Sequence, residues 1–493
     1  MPAHTNVPLK AGSMKKILIL SSSLLTDRIL RYSGCLKTLT EHAETHIWTA
    51  SADHETGREA WQAYSESVQA SPFPEVRAYR QIPFNYLRRM NEFAWDFKLR
   101  PPSRLSMDRH RRSKRMSKRV RAMRIPAWFV AKLGLSGWFE KMLEKLLLSY
   151  PRSPEGAKRM AALKPDLMVI LKPFQFHEPA MVREARRLNI PILALIPSWD
   201  NLSTKGRLVF RYDGYMVWSD VQKAQLSHFY PASRRVPSYL IGAPQFDVFH
   251  RPEFYLDRTA FCQQYGLDPN RPIILHAIGS PHFFREDYGA LELAKRVVQG
   301  EYGDAQLLVR PHPVHDKAEL KQQFEPYAPR VALQQTARVD LPLHRRLQTD
   351  DDVVDWINTF RHADVVVNTV STVAIDAALF GKPVVNMNFD PEPGQPNQEI
   401  LKEVSSIWTH YQPVMALGGI WQANSYEEIG EGIRTYLKNP ELHREARETM
   451  TRFVCGFIDG RNGERMARAM LSFPGKAEPI AEGHRPLNQV AGA

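Results

Sequence analysis

Cysteine is scarce in this chain: Cys35, Cys262 and Cys455 are the three among 493 residues, far apart and without the spacing of a metal ligand set. That excludes a disulfide framework and fits a reducing compartment. Long apolar runs are also missing, and nothing approaches the ~18 residues a membrane-spanning helix needs. Residues 17–20 are too short for a secretory h-region and are cut off by Ser21, Ser22 and Ser23. No G-x-G-x-x-G occurs, so no dinucleotide site is claimed. His312 and His315 have only Asp316 beside them, too little for zinc. Asp350-Asp351-Asp352 reads as a solvated cap rather than a metal–nucleotide ligand. The expectation is a protein that needs no metal or other cofactor.

Positive charge, by contrast, is abundant and local. The net charge is +13, and between residues 98 and 124 twelve Lys or Arg face Asp108 alone. The rest of the chain is close to neutral. Met116, Val120 and Met123 share one helical face, and Trp128, Phe129, Leu133, Leu135 and Trp138 follow. Basic residues with Trp and Phe fit an anionic membrane surface reached through 98–124. A solvated surface helix, or a groove for an anionic acceptor, fits the same pattern. No nucleic acid is expected as a partner.

Short β-branched runs alternate with helical stretches in two halves. Expected strands fall at 15–20, 46–49, 165–171, 190–196, 215–218 and from 239, then at 272–278, 306–310, 331–333, 365–367 and 384–385. This is the pattern of parallel strands buried on both faces. The expected class is α/β, with two Rossmann-like doubly wound domains facing a cleft. Their expected bounds are 14–250, with a helical insertion at about 53–160, and 251–472. Residues 1–13 and 473–493 are expected to be disordered tails.

Ligands in such folds bind outside the carboxyl ends of the strands, and four constellations fall there. Ser371 and Thr372 open a helix after the 365–367 strand, with Asp376 one turn inside. Hydroxyls and backbone N–H groups there suit a phosphate, and Asp376 suits ribose hydroxyls. Asp376 could equally just compensate the helix dipole. Arg310 and His312, stiffened by Pro311 and Pro313, offer fixed cationic donors. Ser198-Trp199-Asp200-Asn201 with Lys205 offers a ring to stack on and, if burial raises its pKa, Asp200 as a general base. Asp200-Asn201 is also an ordinary turn pair, and His177 is a competing base. Ser280 and His282 could touch phosphate, a weaker signal.

These residues resemble the glycosyltransferase-B-fold superfamily. They are most similar to the CDP-glycerol glycerophosphotransferase-like and capsule polysaccharide transferase group, which also resembles the non-hydrolysing UDP-GlcNAc epimerases. The similarity rests on Arg310-Pro311-His312-Pro313, on Ala363-Asp364 with Ser371 and Asp376 to Pro383, on residues 242–247 and on Ser198-Trp199-Asp200-Asn201. It implies a nucleotide donor held by the second domain, through His312, Ser371 and Thr372, and an acceptor near the first. The expected activity is metal-independent transfer of a sugar from a nucleotide-sugar donor to a surface glycan or lipid-linked acceptor. Polyol-phosphate transfer from a CDP-linked donor, with His312 or His282 as base, and a catalytically silent binding protein are the alternatives. The expected location is the cytoplasm, on the inner membrane face if the basic segment binds lipid.

Overall fold

The computed structural model describes residues 14–64, 68–77, 84–112, 117–175, 177–279, 284–312, 317–334 and 345–474. Its strands form two wholly parallel sheets. The first holds β1 (Lys15–Ser21), β2 (Ala43–Thr49), β3 (Val68–Pro72), β4 (Leu167–Ile170), β5 (Ile192–Leu195), β6 (Gly214–Val217) and β7 (Ser238–Leu240), in the order β3-β2-β1-β4-β5-β6-β7. The second holds β8 (Ile273–Ala277), β9 (Gln306–Arg310), β10 (Val331–Leu333), β11 (Val365–Thr369), β12 (Val384–Met387) and β13 (Trp421–Ala423), in the order β10-β9-β8-β11-β12-β13. Each sheet starts at its middle and reverses direction, between β1 and β4 and between β8 and β11. Such a reversal opens a crevice beyond the strand ends.

The central strands are apolar because helices cover both faces. Ile17, Ile19, Val169 and Leu193 pack into one core, and Leu18, Leu20, Met168 and Ile170 into the opposite one. A third core joins the domains: Tyr32, Trp199 and Trp218 of the first pack with Val366, Ala374, Tyr411 and Met450 of the second. The α/β two-domain architecture expected from the sequence is therefore the one found.

The structure departs from several of the expected bounds. The region 53–160 is not all insertion, because β3 continues the first sheet beside β2. The helices that depart from a Rossmann pattern start at Phe84. The first helix ends at Tyr32, capped at its start by Ser23, and Gly34, at φ +76°, precedes a second helix from Cys35. The stretch 440–469 is largely helical, as two helices, Arg444–Cys455 and Asn462–Ser472, separated at Gly456 and Gly460.

The last of those helices belongs to the first domain rather than the second. Met466, Ala467 and Met470, spaced to line one helical face, complete the core beneath β1. Asp247 fixes its start, accepting from Asn462 Nδ2 at 2.7 Å and from the Gly463 amide at 2.6 Å. A Cβ on Gly463 would collide with the Ser33 carbonyl, so only glycine allows this approach. Phe473, expected in a disordered tail, is buried against Tyr239, and its carbonyl accepts from Lys15 Nζ at 2.9 Å.

Candidate active site

The helix Val373–Leu379 follows β11 after the tight turn Val370–Thr372. Thr372 occupies the N-cap position with helical backbone angles, and its hydroxyl does not cap its own helix. It accepts instead from Trp199 Nε1, in the loop after β5 of the other domain, at 3.3 Å. The expected donor-side turn and acceptor-side loop thus meet across the cleft. Ser371 Oγ accepts from the Val373 amide at 3.3 Å.

Asp376 lies one turn further in, and burial raises its pKa to about 6 against the pull of Arg28 and Arg310. Arg28 comes from the helix Leu24–Tyr32, which leaves β1 in the first domain. Its guanidinium lies 4.1 Å from the ring centre of Trp356, and Asp376 attracts its charge. Burial outweighs that attraction and lowers the Arg28 pKa to about 10, so it stays cationic at neutral pH. Arg310 leaves β9 and donates from Nη1 to Gln334 at 2.7 Å and Thr359 at 3.3 Å. Part of its donor capacity is therefore spent inside the second domain, while its charge still reaches Asp376.

On the first domain's side of the cleft, Asp200 accepts from Ser198 Oγ at 2.6 Å, Asn201 Nδ2 at 3.0 Å and Thr204 Oγ1 at 2.8 Å. Burial pushes its pKa up, but His410, Lys205 and these hydroxyls outweigh it and hold the carboxyl below the usual range. The condition set for a base, a raised pKa, is not met. His410 of the second domain lies within electrostatic reach of Asp200. Burial lowers the imidazole to about 4, so it is neutral at pH 7; it shares a 3.0 Å hydrogen bond with Ser203 and stands edge-on to Trp199 at 4.9 Å.

The remaining expected residues are more scattered. His312 is half-buried just past β9, and His177 is exposed beside the turn Glu178–Met181. Glu178, not His177, is the buried group there: it accepts from Ser22 Oγ at 2.7 Å and the Lys172 amide at 2.6 Å, and burial raises it to about 7. Ser280 and His282 lie outside the described residues; nearby, the Glu286 carboxyl is buried and raised to about 7. Among the described residues no three His, Cys, Asp or Glu side chains are grouped to hold a metal.

Sequence reasoning missed Arg28 and His410. Arg28 was within reach, since the helix after the first strand of a Rossmann half points its start at the crevice. His410 carried no local signal. It matters because Trp408 Nε1 and the Thr409 amide are held by Ser106 Oγ at 2.9 Å and Ser103 Oγ at 2.8 Å, which carries the second domain's His410 to the first domain's Asp200.

The architecture is the glycosyltransferase-B type: two Rossmann-like domains whose strand exits meet in one cleft. Solved structures of that fold align with nearly the whole chain. S. aureus MnaA, in a co-structure with UDP, superposes with a TM-score of 0.52 at 12% identity, over 92% of this chain and 96% of its own. UDP-GlcNAc 2-epimerase from Neisseria meningitidis, bound to UDP-GlcNAc, gives 0.50 at 11% identity, over 92% and 99%. A further UDP-N-acetylglucosamine 2-epimerase gives 0.51 at 12%, over 93% and 95%. At these identities the likeness establishes the fold alone. No protein-family model matches the chain, and no curated protein matches it in sequence.

Proposed function

We propose that this protein is an enzyme acting on a nucleotide sugar, and that it transfers the sugar to a glycan or lipid-linked acceptor. The observation that carries the reading is the convergence of Arg28, Arg310 and Asp376 from facing strand exits, beside the Ser371–Thr372 hydroxyls. The bound UDP and UDP-GlcNAc in two similar structures support a nucleotide donor. Asp376 would accept from ribose hydroxyls, while Arg28 and the turn hydroxyls take the phosphates. As the bond from the anomeric carbon to phosphate oxygen breaks, charge grows on the leaving phosphate, and fixed cations stabilise it. The acceptor oxygen forms the new bond to that carbon, and its proton passes to neutral His410, whose imidazolium Asp200 then stabilises.

A thermal-shift series with UDP, UDP-GlcNAc and CDP-glycerol tests the reading. At ~100-fold excess over Kd a true donor adds about 2.7 kcal/mol of stability. No shift with any nucleotide overturns it, and a shift with CDP-glycerol alone moves the reading to polyol-phosphate transfer. A second reading, epimerisation, is favoured by the similar structures that are UDP-GlcNAc 2-epimerases. Incubation with UDP-GlcNAc and no acceptor separates the two: a C2 epimer in the product identifies an epimerase. Binding without turnover under either regime identifies a silent binding protein.

A further inference from the structure

Six of the thirteen large apolar side chains exposed on the described surface crowd into residues 125–138: Ile125, Trp128, Phe129, Leu133, Leu135 and Trp138. Leu133 is 68% exposed and Trp138 61%. They lie on a helical hairpin, Arg124–Lys132 and Ser136–Ser149, whose turn uses Gly134 at φ +72°. The hairpin's other face is already packed. Ala127 joins Phe93 and Ala94 of the helix Phe84–Leu99, and Leu143 and Leu147 enter the first domain's core. The outward apolar face is thus additional to what the fold needs for burial. Apolar patches of this kind on a folded chain mark interaction sites.

The charges around it have one sign. No Asp or Glu occurs between Asp108 and Glu140. Glu140 and Glu144 turn inward to Arg207 and Arg211, each 2.5 Å away, which leaves Lys141 and Lys145 exposed on the same helix. Lys132 is exposed at the tip, and Lys118 and Arg119 are exposed on the helix Lys118–Ala122 that leads into the hairpin. The earlier part of the basic segment is used differently: Arg104 is buried on Asp96, and Arg109 bonds Glu403 of the second domain at 2.9 Å. It braces the protein rather than facing outward.

We propose that this hairpin docks the protein on an anionic lipid bilayer, with Trp128, Phe129, Leu133 and Trp138 entering the headgroup–acyl boundary and the surrounding cations meeting the headgroups. Trp at the interface with a basic surround is the composition such surfaces use. A second copy of the chain is a poorer occupant, because a two-fold contact through this patch sets like charges against each other. The proposal stands on exposure and charge and is independent of the nucleotide-sugar reading.

Flotation of the full chain with phosphatidylcholine vesicles, with and without phosphatidylglycerol, tests it. The wild type is expected to float with the anionic vesicles. Trp128→Glu with Trp138→Glu should cut the bound fraction about tenfold at low salt. Lys118→Glu with Arg119→Glu should lose the preference for phosphatidylglycerol by a similar factor. An unchanged far-UV spectrum and melting temperature show that each variant folds. Wild type that stays at the bottom with anionic vesicles, or Trp variants that float as wild type does, overturns the proposal. So does a wild-type dimer in sedimentation that the Trp variants convert to monomer.

Discussion

The two sheets share one strand order, yet the exit of β1 in the first and the exit of β11 in the second treat their polar groups in opposite ways. After β1, Ser21 Oγ donates to Asp27 Oδ1 at 2.5 Å, Thr49 Oγ1 to Asp27 Oδ2 at 2.9 Å, and Trp61 Nε1 to Ser51 Oγ at 2.9 Å. That network closes on itself. After β11, Thr372 finds its partner on Trp199 and Asp376 finds its counter-charge on Arg28, both in the other domain. A polar cluster that satisfies itself is framework. One that depends on the facing domain changes whenever the cleft changes, and that is where a ligand gains leverage.

The sharpest test removes the cross-cleft charge. Arg28→Ala should lower kcat/KM at least ~100-fold, about 2.7 kcal/mol of transition-state stabilisation. Arg31→Ala on the same helix, whose Nη1 donates to the Gln348 carbonyl at 2.7 Å, should stay within a few-fold. Equal losses in the two would erase the distinction drawn between the exits.

Asp376→Asn should remove a pH effect as well as affinity. The wild-type carboxyl protonates as pH falls through about 6, so donor binding should weaken below that pH. Titration calorimetry across the range checks this. In the Asn variant the acid limb should be flat; an unchanged limb assigns it elsewhere.

A smaller effect concerns stability. Burial raises Glu286 from 4.5 to about 7, so the folded state binds its proton more tightly than the unfolded one. Its contribution is fully present below about pH 4.5 and is lost as pH rises through about 7. Glu286→Gln should therefore gain on wild type between pH 5 and pH 8 in denaturant melts; a constant difference refutes the assignment. Comparing variant with wild type cancels the opposite trend from His410, whose lowered value favours the folded state less as pH falls below 6.5.

Least is expected of Thr372→Val, which deletes the acceptor for Trp199 and should cost about 1 kcal/mol. Nucleotide affinity should fall with it if the hydroxyl also meets phosphate.

The strands were legible because a parallel strand covered on both faces must be apolar throughout, as residues 365–367 show. β3 was not, because Val-Gln-Ala-Ser-Pro at a sheet edge has no such run. Ser371, Thr372 and Asp376 could be named because sequence neighbours stay neighbours around one turn. Pairings such as Asp200 with His410 and Arg28 with Asp376 join residues from different domains, which no local pattern encodes. The helix Asn462–Ser472 was misassigned for the same reason: its apolar face called for a core but did not say which one.

That returning helix also bears on how the chain matures. During synthesis β1 to β7 emerge long before Met466, Ala467 and Met470, so the nascent first domain waits with one flank of its core uncovered. The second domain can close while the ribosome is still translating. The first is completed only when the helix Asn462–Ser472 is delivered.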